Sequence, residues 1–161
     1  MKRPALIFAL LASLTASAAA QNSGSISRVQ SGASCSGCNL FQADLSYRDM
    51  PRVNLSGSRL RQANLSLATM NGANFGGADL STANLFGGRF TGASFVQSNL
   101  QNANLVGAYF GSADFSGANL SGAILSGAEM ERVRGLTQRQ LDAACGDSQT
   151  RLPYGLRIPV C

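Results

Sequence analysis

The 161-residue chain has no histidine and no tryptophan, only four prolines, and only 13% charged residues. Without histidine there can be no Ser-His-Asp triad, no Cys-His dyad and no imidazole-ligated metal. The charge is about half the usual share, and 45% of the residues are hydrophobic. That balance argues against intrinsic disorder. Apolar runs of about 20 residues, the length needed to span a bilayer, are also missing. One domain is the default at this length.

Lysine occurs only at Lys2, at the head of a segment with its own logic. Lys2 and Arg3 precede an apolar run over residues 5–14 (ALIFALLASL), and Ala18-Ala19-Ala20 stands before Gln21. A basic start, a short apolar stretch and an A-x-A site predict a secretory signal peptide, residues 1–20, cleaved after Ala20. The competing reading is a frayed N-terminal helix. No cysteine follows the small residues, so a lipoprotein anchor is not expected. The full chain carries a net charge of +5; without residues 1–20 it keeps 11 arginines, no lysine and 8 acids, 11 − 8 = +3. The expected location is periplasmic or secreted, by a bacterial route.

Every fifth residue from Leu40 to Met130 is Leu, Met or Phe, nineteen positions without exception. Two residues before each stands a small one, as at Cys38, Ala43, Ser58, Ala63, Gly88 and Ala128; Arg48 is the exception and Val53 is slightly large. Asn or Asp fills most positions between the two. A period of five matches neither helix nor strand: five residues advance a helix by about 500°, and five is odd for a two-residue pleat. The chain must turn a corner every five residues and stack on itself as a solenoid.

The central residues also count the sides. Sorted by a period of twenty, one column is Leu40, Leu60, Leu80, Leu100 and Leu120, and the next is Leu45, Leu65, Leu85, Leu105 and Leu125. Every Met and Phe falls in the remaining two columns, Met50–Met70–Phe90–Phe110–Met130 and Leu55–Phe75–Phe95–Phe115. Four repeats per turn, with like stacked on like, account for this sorting.

The A-[N/D]-[L/F]-x-x units over residues 38–132 resemble the pentapeptide-repeat family. The resemblance implies an all-β fold: a right-handed quadrilateral β-helix with Leu, Phe and Ala inside. Ninety-five residues then make a rod of about 23 Å at roughly 4.8 Å per layer. Arg48, in an inward slot, predicts a local distortion or a snorkelling side chain. Residues 21–37 read as a flexible polar lead-in. Residues 133–161 read as a C-terminal cap, with a short helix near 138–144 after the capping box Thr137-Gln138-Arg139-Gln140.

Four cysteines in an exported chain suggest disulfides, with three possible connectivities. Cys35–Cys38 and Cys145–Cys161 are favoured because each pair brackets one end of the rod. A redox C-x-x-C and a free buried Cys38 are the alternatives; a zinc site built from all four cysteines would require the two rod ends to meet. No cofactor and no metal are expected.

Outward positions suggest two surfaces. Tyr47, Leu67, Phe86, Val106 and Ile124 form a candidate apolar stripe for a partner protein or a homodimer, or else a seat for the lead-in or tail. Arg48, Arg52, Arg59 and Arg61 form a candidate basic patch for an anionic envelope polymer, or a solvated rim; Arg59 is expected to pair with Asp79. The eight acids are scattered, and only Asp49 and Glu129 share an outward column, about 19 Å apart, too far for a paired-carboxylate mechanism. The resulting reading is no enzyme, but a non-catalytic structural or protein-binding module of the cell envelope. The resemblance offers one alternative, a DNA mimic that binds gyrase. That role needs an acidic, cytoplasmic rod, and nucleic acid is not an expected partner of this chain.

Overall fold

The computed structural model describes residues 22–161; the expected signal peptide lies outside the described residues. From residue 33 onward the backbone runs as a stacked coil. Parallel bridges join residues twenty apart along four ladders, such as Arg59–Asp79–Asn99–Asn119 and Asn64–Asn84–Asn104. From Leu40 to Phe115 each central residue donates forward to the next coil, as Leu65 N–H does to the Asn84 carbonyl at 2.7 Å. The residue before it donates backward, as Asn84 N–H does to the Ala63 carbonyl at 2.9 Å. Between sides the chain turns sharply, with the Ala63 N–H on the Leu60 carbonyl at 3.0 Å. Only one residue per side is bridged, so pairing is all parallel β although no side grows into a long strand.

All nineteen central side chains are buried, none more than 2% exposed. In the third and fourth columns the rings stack layer on layer: Phe75 on Phe95 at 5.0 Å, Phe95 on Phe115 at 5.0 Å and Phe90 on Phe110 at 5.4 Å. Edge-on contacts of 5.2 to 6.0 Å tie the two columns together. These are the offset and T-shaped geometries that the ring quadrupole favours. Gly88 shows how little room the small column leaves: a Cβ there would stand 2.6 Å from the Phe90 ring.

Outside the core, asparagines form amide ladders. Asn64, Asn84 and Asn104 each donate Nδ2 to the Oδ1 one coil earlier, at 3.4, 3.3 and 3.1 Å, and the first acceptor is Asp44. A second ladder runs from Asn119 through Asn99 to Asp79. An aspartate suits the first rung because it has nothing to donate backward and only needs to accept. Each Oδ1 also accepts the N–H two residues on, at 2.9 to 3.2 Å in Asn74 and Asn99, which fixes the corner.

Both ends carry lids. Helix α1, Ser23–Gln30, is capped by the Asn22 side chain and buries Val29 against the first coil. The Gln30 amide donates to the Asp44 carbonyl at 2.8 Å. The described part of residues 21–37, expected as a flexible lead-in, therefore holds a docked helix and the start of the coil. Cys35 takes the central position below Leu55 and is 5% exposed, so the coil begins one repeat before residue 38. Arg48 snorkels: its side chain is exposed, and its carbonyl still accepts Thr69 N–H at 2.8 Å. At the other end, helix α2, Gln138–Asp142, forms its Thr137/Gln140 capping box and buries Leu141. The Gln140 amide caps the carbonyls of Phe115 and Ala118, both at 2.9 Å. Cys145 and Arg151 then bridge to Ile124 and Glu129, closing the second and third ladders. Disulfides join Cys35 to Cys38 and Cys145 to Cys161.

Leu85→Ala, in the middle of the stack, should cost about 2–5 kcal/mol in denaturant unfolding; a loss under about 1 kcal/mol would place Leu85 outside the core. Breaking Cys145–Cys161 by double substitution to Ser should cost about 3 kcal/mol. Asp44 and Asp114 are held below the usual carboxylate range, chiefly by the hydroxyls of Ser46 and Ser116, and Asp147 by the Gly127 N–H. In the unfolded chain these groups protonate near 3.9, so folding gains from them above that pH and loses the gain as pH falls below it. The melting temperature should drop as acid is added through that window, and drop less in Asp44→Asn/Asp114→Asn.

Candidate functional site

The second side and the corner that follows it carry the apolar stripe. Tyr47, Leu67, Phe86 and Ile124 are 76%, 43%, 45% and 41% exposed, and Val106 is half-buried. They occupy three different positions of the repeat: Phe86 and Val106 follow the central leucine by one, Tyr47 and Leu67 by two, and Ile124 precedes it. Tyr47 and Leu67 stand at left-handed corners, φ 57° each, where the next coils have Gly87 and Gly107. The glycine makes a seat, since a Cβ at Gly87 would lie 2.7 Å from Leu67 Cδ2. Beside the stripe runs the Asp44–Asn104 amide ladder, which ends where Ile124 replaces asparagine. The stripe therefore borders a row of side chains already committed to one another.

The four arginines do not form one patch. Arg59 and Arg61 project from the first side, Arg48 and Arg52 from the third side and its corner, on opposite faces of a four-sided coil. The expected Arg59–Asp79 ion pair is also replaced. Asp79 Oδ1 accepts from Ser81 N–H and Oγ at 3.1 and 2.7 Å, which turns the carboxylate toward the turn residues. Arg61 stands there, one coil before Ser81, and its Nε lies 3.9 Å from Asp79 Oδ2. With both side chains well exposed the pair is worth at most about 1 kcal/mol.

The third side holds an arrangement that the sequence pattern did not disclose. Its outward column is Asp49, Thr69, Arg89, Tyr109 and Glu129, so Asp49 and Glu129 do stand at opposite ends. At the far end, however, Tyr109, Gly111, Glu129, Glu131 and Arg132 line one recess of about 200 Å³. The Tyr109 ring lies where a Gly111 side chain would be; a Cβ there would stand 2.7 Å from the phenol oxygen. The Arg89 guanidinium sits 5.7 Å from the ring centroid, a cation–π distance. Arg151 pairs with Glu131 at 3.6 Å. The signal was available: Tyr109 and Glu129 are twenty residues apart, and Gly111 stands one position past a central phenylalanine.

Among the described residues no three His, Cys, Asp or Glu side chains are placed to hold a metal ion. No helix among them is long and apolar enough to cross a membrane.

Against known proteins, the profile for pentapeptide repeats matches residues 49–87 and 89–127, in eight copies. No curated protein sequence matches the chain significantly. Among solved structures, HetL, a pentapeptide repeat protein involved in heterocyst differentiation regulation from the cyanobacterium Nostoc sp. strain PCC 7120, is 37% identical with a TM-score of 0.60. That match covers 63% of this chain and 48% of HetL, so the chain spans about half the length of that relative. A pentapeptide repeat protein of the Arabidopsis thaliana thylakoid lumen is 35% identical over 76% of this chain and 83% of its own, with a TM-score of 0.38. QnrB1, a plasmid-mediated fluoroquinolone resistance protein, is 19% identical over 80% of this chain and 87% of its own, with a TM-score of 0.39. Members of the family form right-handed quadrilateral β-helices and are in general non-enzymatic structural or binding proteins. On its repeats and its twenty-residue ladders, the chain belongs to the pentapeptide-repeat family.

Proposed function

We propose that this protein is a non-catalytic protein-binding module of the bacterial cell envelope, a right-handed four-sided rod freed of residues 1–20 on export. In this reading it docks a partner protein along the stripe from Tyr47 to Ile124. One observation carries the proposal. Within the repeats, residues 38–132, the large hydrophobic side chains exposed beyond 40% are Tyr47, Leu67, Phe86 and Ile124; the first three stand at the corner after the second side and Ile124 on the second side itself. Scattered exposed apolar residues are ordinary; their gathering along one edge of the coil marks a contact surface. Neither α1 nor the C-terminal tail covers the row, since all four keep that exposure with both in place.

The DNA-mimic alternative has less support. A mimic needs rows of acids, and here the outward columns mix Asp49 with Arg89, Arg59 with Asp79 and Asp114 with Arg134.

Affinity capture from a periplasmic extract tests the proposal, with the chain beginning at Gln21 as bait. The expected result is a retained protein whose recovery falls at least tenfold with Tyr47→Asp/Phe86→Asp and stays unchanged with Arg59→Glu/Arg61→Glu. Equal recovery with both variants would remove the stripe from the contact. If sedimentation showed the bait to be a dimer that Tyr47→Asp/Phe86→Asp dissolves, the occupant would be a second copy instead.

A further inference from the structure

The recess on the third side has a composition that selects its ligand. Among the described residues Glu129 and Arg132 make no ion pair, although both line the same recess of about 200 Å³. Glu131 is engaged with Arg151. The floor is half-buried Tyr109, held in place by the missing side chain of Gly111 and by the Arg89 guanidinium 5.7 Å from its centroid.

A free cation would meet Glu129 favourably but would be repelled by Arg132, and an anion would meet the reverse. A neutral ligand satisfying both must accept hydrogen bonds from a guanidinium and donate them to a carboxylate in the same recess. A hydroxyl does both, because it carries one donor and two lone pairs. A purely apolar ligand would leave both charged groups dehydrated and unpaired. An aromatic face beside such polar groups suits a ring whose own face carries slightly positive C–H groups, because the π-face is negative. The recess is smaller than the usual 300–1,000 Å³ of a drug-sized pocket, so it takes one ring and leaves the rest of the ligand outside.

From this we infer that the third side carries a subsite for one unit of a neutral polyhydroxylated ligand, a linear glycan. In it Tyr109 stacks on the sugar face, Glu129 accepts from a hydroxyl and Arg132 donates to one. The site is separate from the apolar stripe, and its success or failure leaves the stripe untouched.

The probes are maltotetraose, cellotetraose and chitotetraose, added at millimolar concentrations to the chain beginning at Gln21. The readout is the tyrosine ring resonances, of which there are only three sets, from Tyr47, Tyr109 and Tyr154. At least one sugar should shift the Tyr109 signals saturably and leave those of Tyr47 and Tyr154 in place. Glu129→Ala, an exposed position, should weaken that binding at least tenfold with the melting temperature unchanged. Gly111→Ala, which evicts the ring from its seat, should abolish it. No Tyr109 shift with any of the three, or equal shifts at all three tyrosines, would overturn the inference. A Tyr109 shift with glycine betaine or free arginine in place of the sugars would also overturn it, as a zwitterion or cation site.

Discussion

One backbone constraint sets everything else: from Leu40 to Phe115, the N–H of each central residue bonds to the carbonyl nineteen positions further along, one coil on. Four such bonds per turn, with four more returning, lock the coil at twenty residues. Individually each is worth about 0.5–1.5 kcal/mol. Together they hold neighbouring layers at a spacing of about 4.8 Å, which is close to the stacking distance of aromatic rings. That coincidence lets Phe75, Phe95 and Phe115 form a continuous pile, and it leaves Gly88 no room for even a methyl group beside Phe90. Hydrogen bonding fixes the layers; ring and leucine packing then makes each layer specific for its neighbours.

The same constraint organises the surface. A side chain on one coil always faces the residue twenty away, so surface features come as rows. Amide ladders grow where asparagine repeats, and they begin at an aspartate because the first rung only accepts. The apolar stripe and the Tyr109 recess interrupt these rows. Each depends on a glycine, Gly87 under Leu67 and Gly111 under Tyr109, that gives a large neighbour somewhere to lie. The open layers at the ends are closed differently, by α1 below and by α2 with the disulfide-bonded tail above. Lids at both ends cover part of the coil edge that another chain could otherwise extend.

Much of this was legible in the sequence. The five-residue period placed Leu85 inside, and sorting by twenty put Phe75 beneath Phe95. Three features were not legible, for different reasons. Helix α1 has a polar, serine-rich sequence and is too short to form alone; it exists because Ile26 and Val29 dock on the first coil. The partner of Asp79 does not follow from its column, because the Ser81 hydrogen bonds turn its carboxylate toward Arg61. The recess does not show in any single outward column, because Glu129, Glu131 and Arg132 span a side and its corner. The pattern of a repeat reveals its core more readily than its surface, because the core repeats and the surface departs from the repeat.

The most direct test of the coil is a measurement of scalar couplings across hydrogen bonds in the 15N,13C-labelled protein. The account expects couplings from the Leu85 amide nitrogen to the Asn104 carbonyl carbon and from the Asn84 nitrogen to the Ala63 carbonyl carbon. Couplings from these nitrogens to carbonyls four residues earlier in the chain, or to any coil other than the adjacent one, would contradict it.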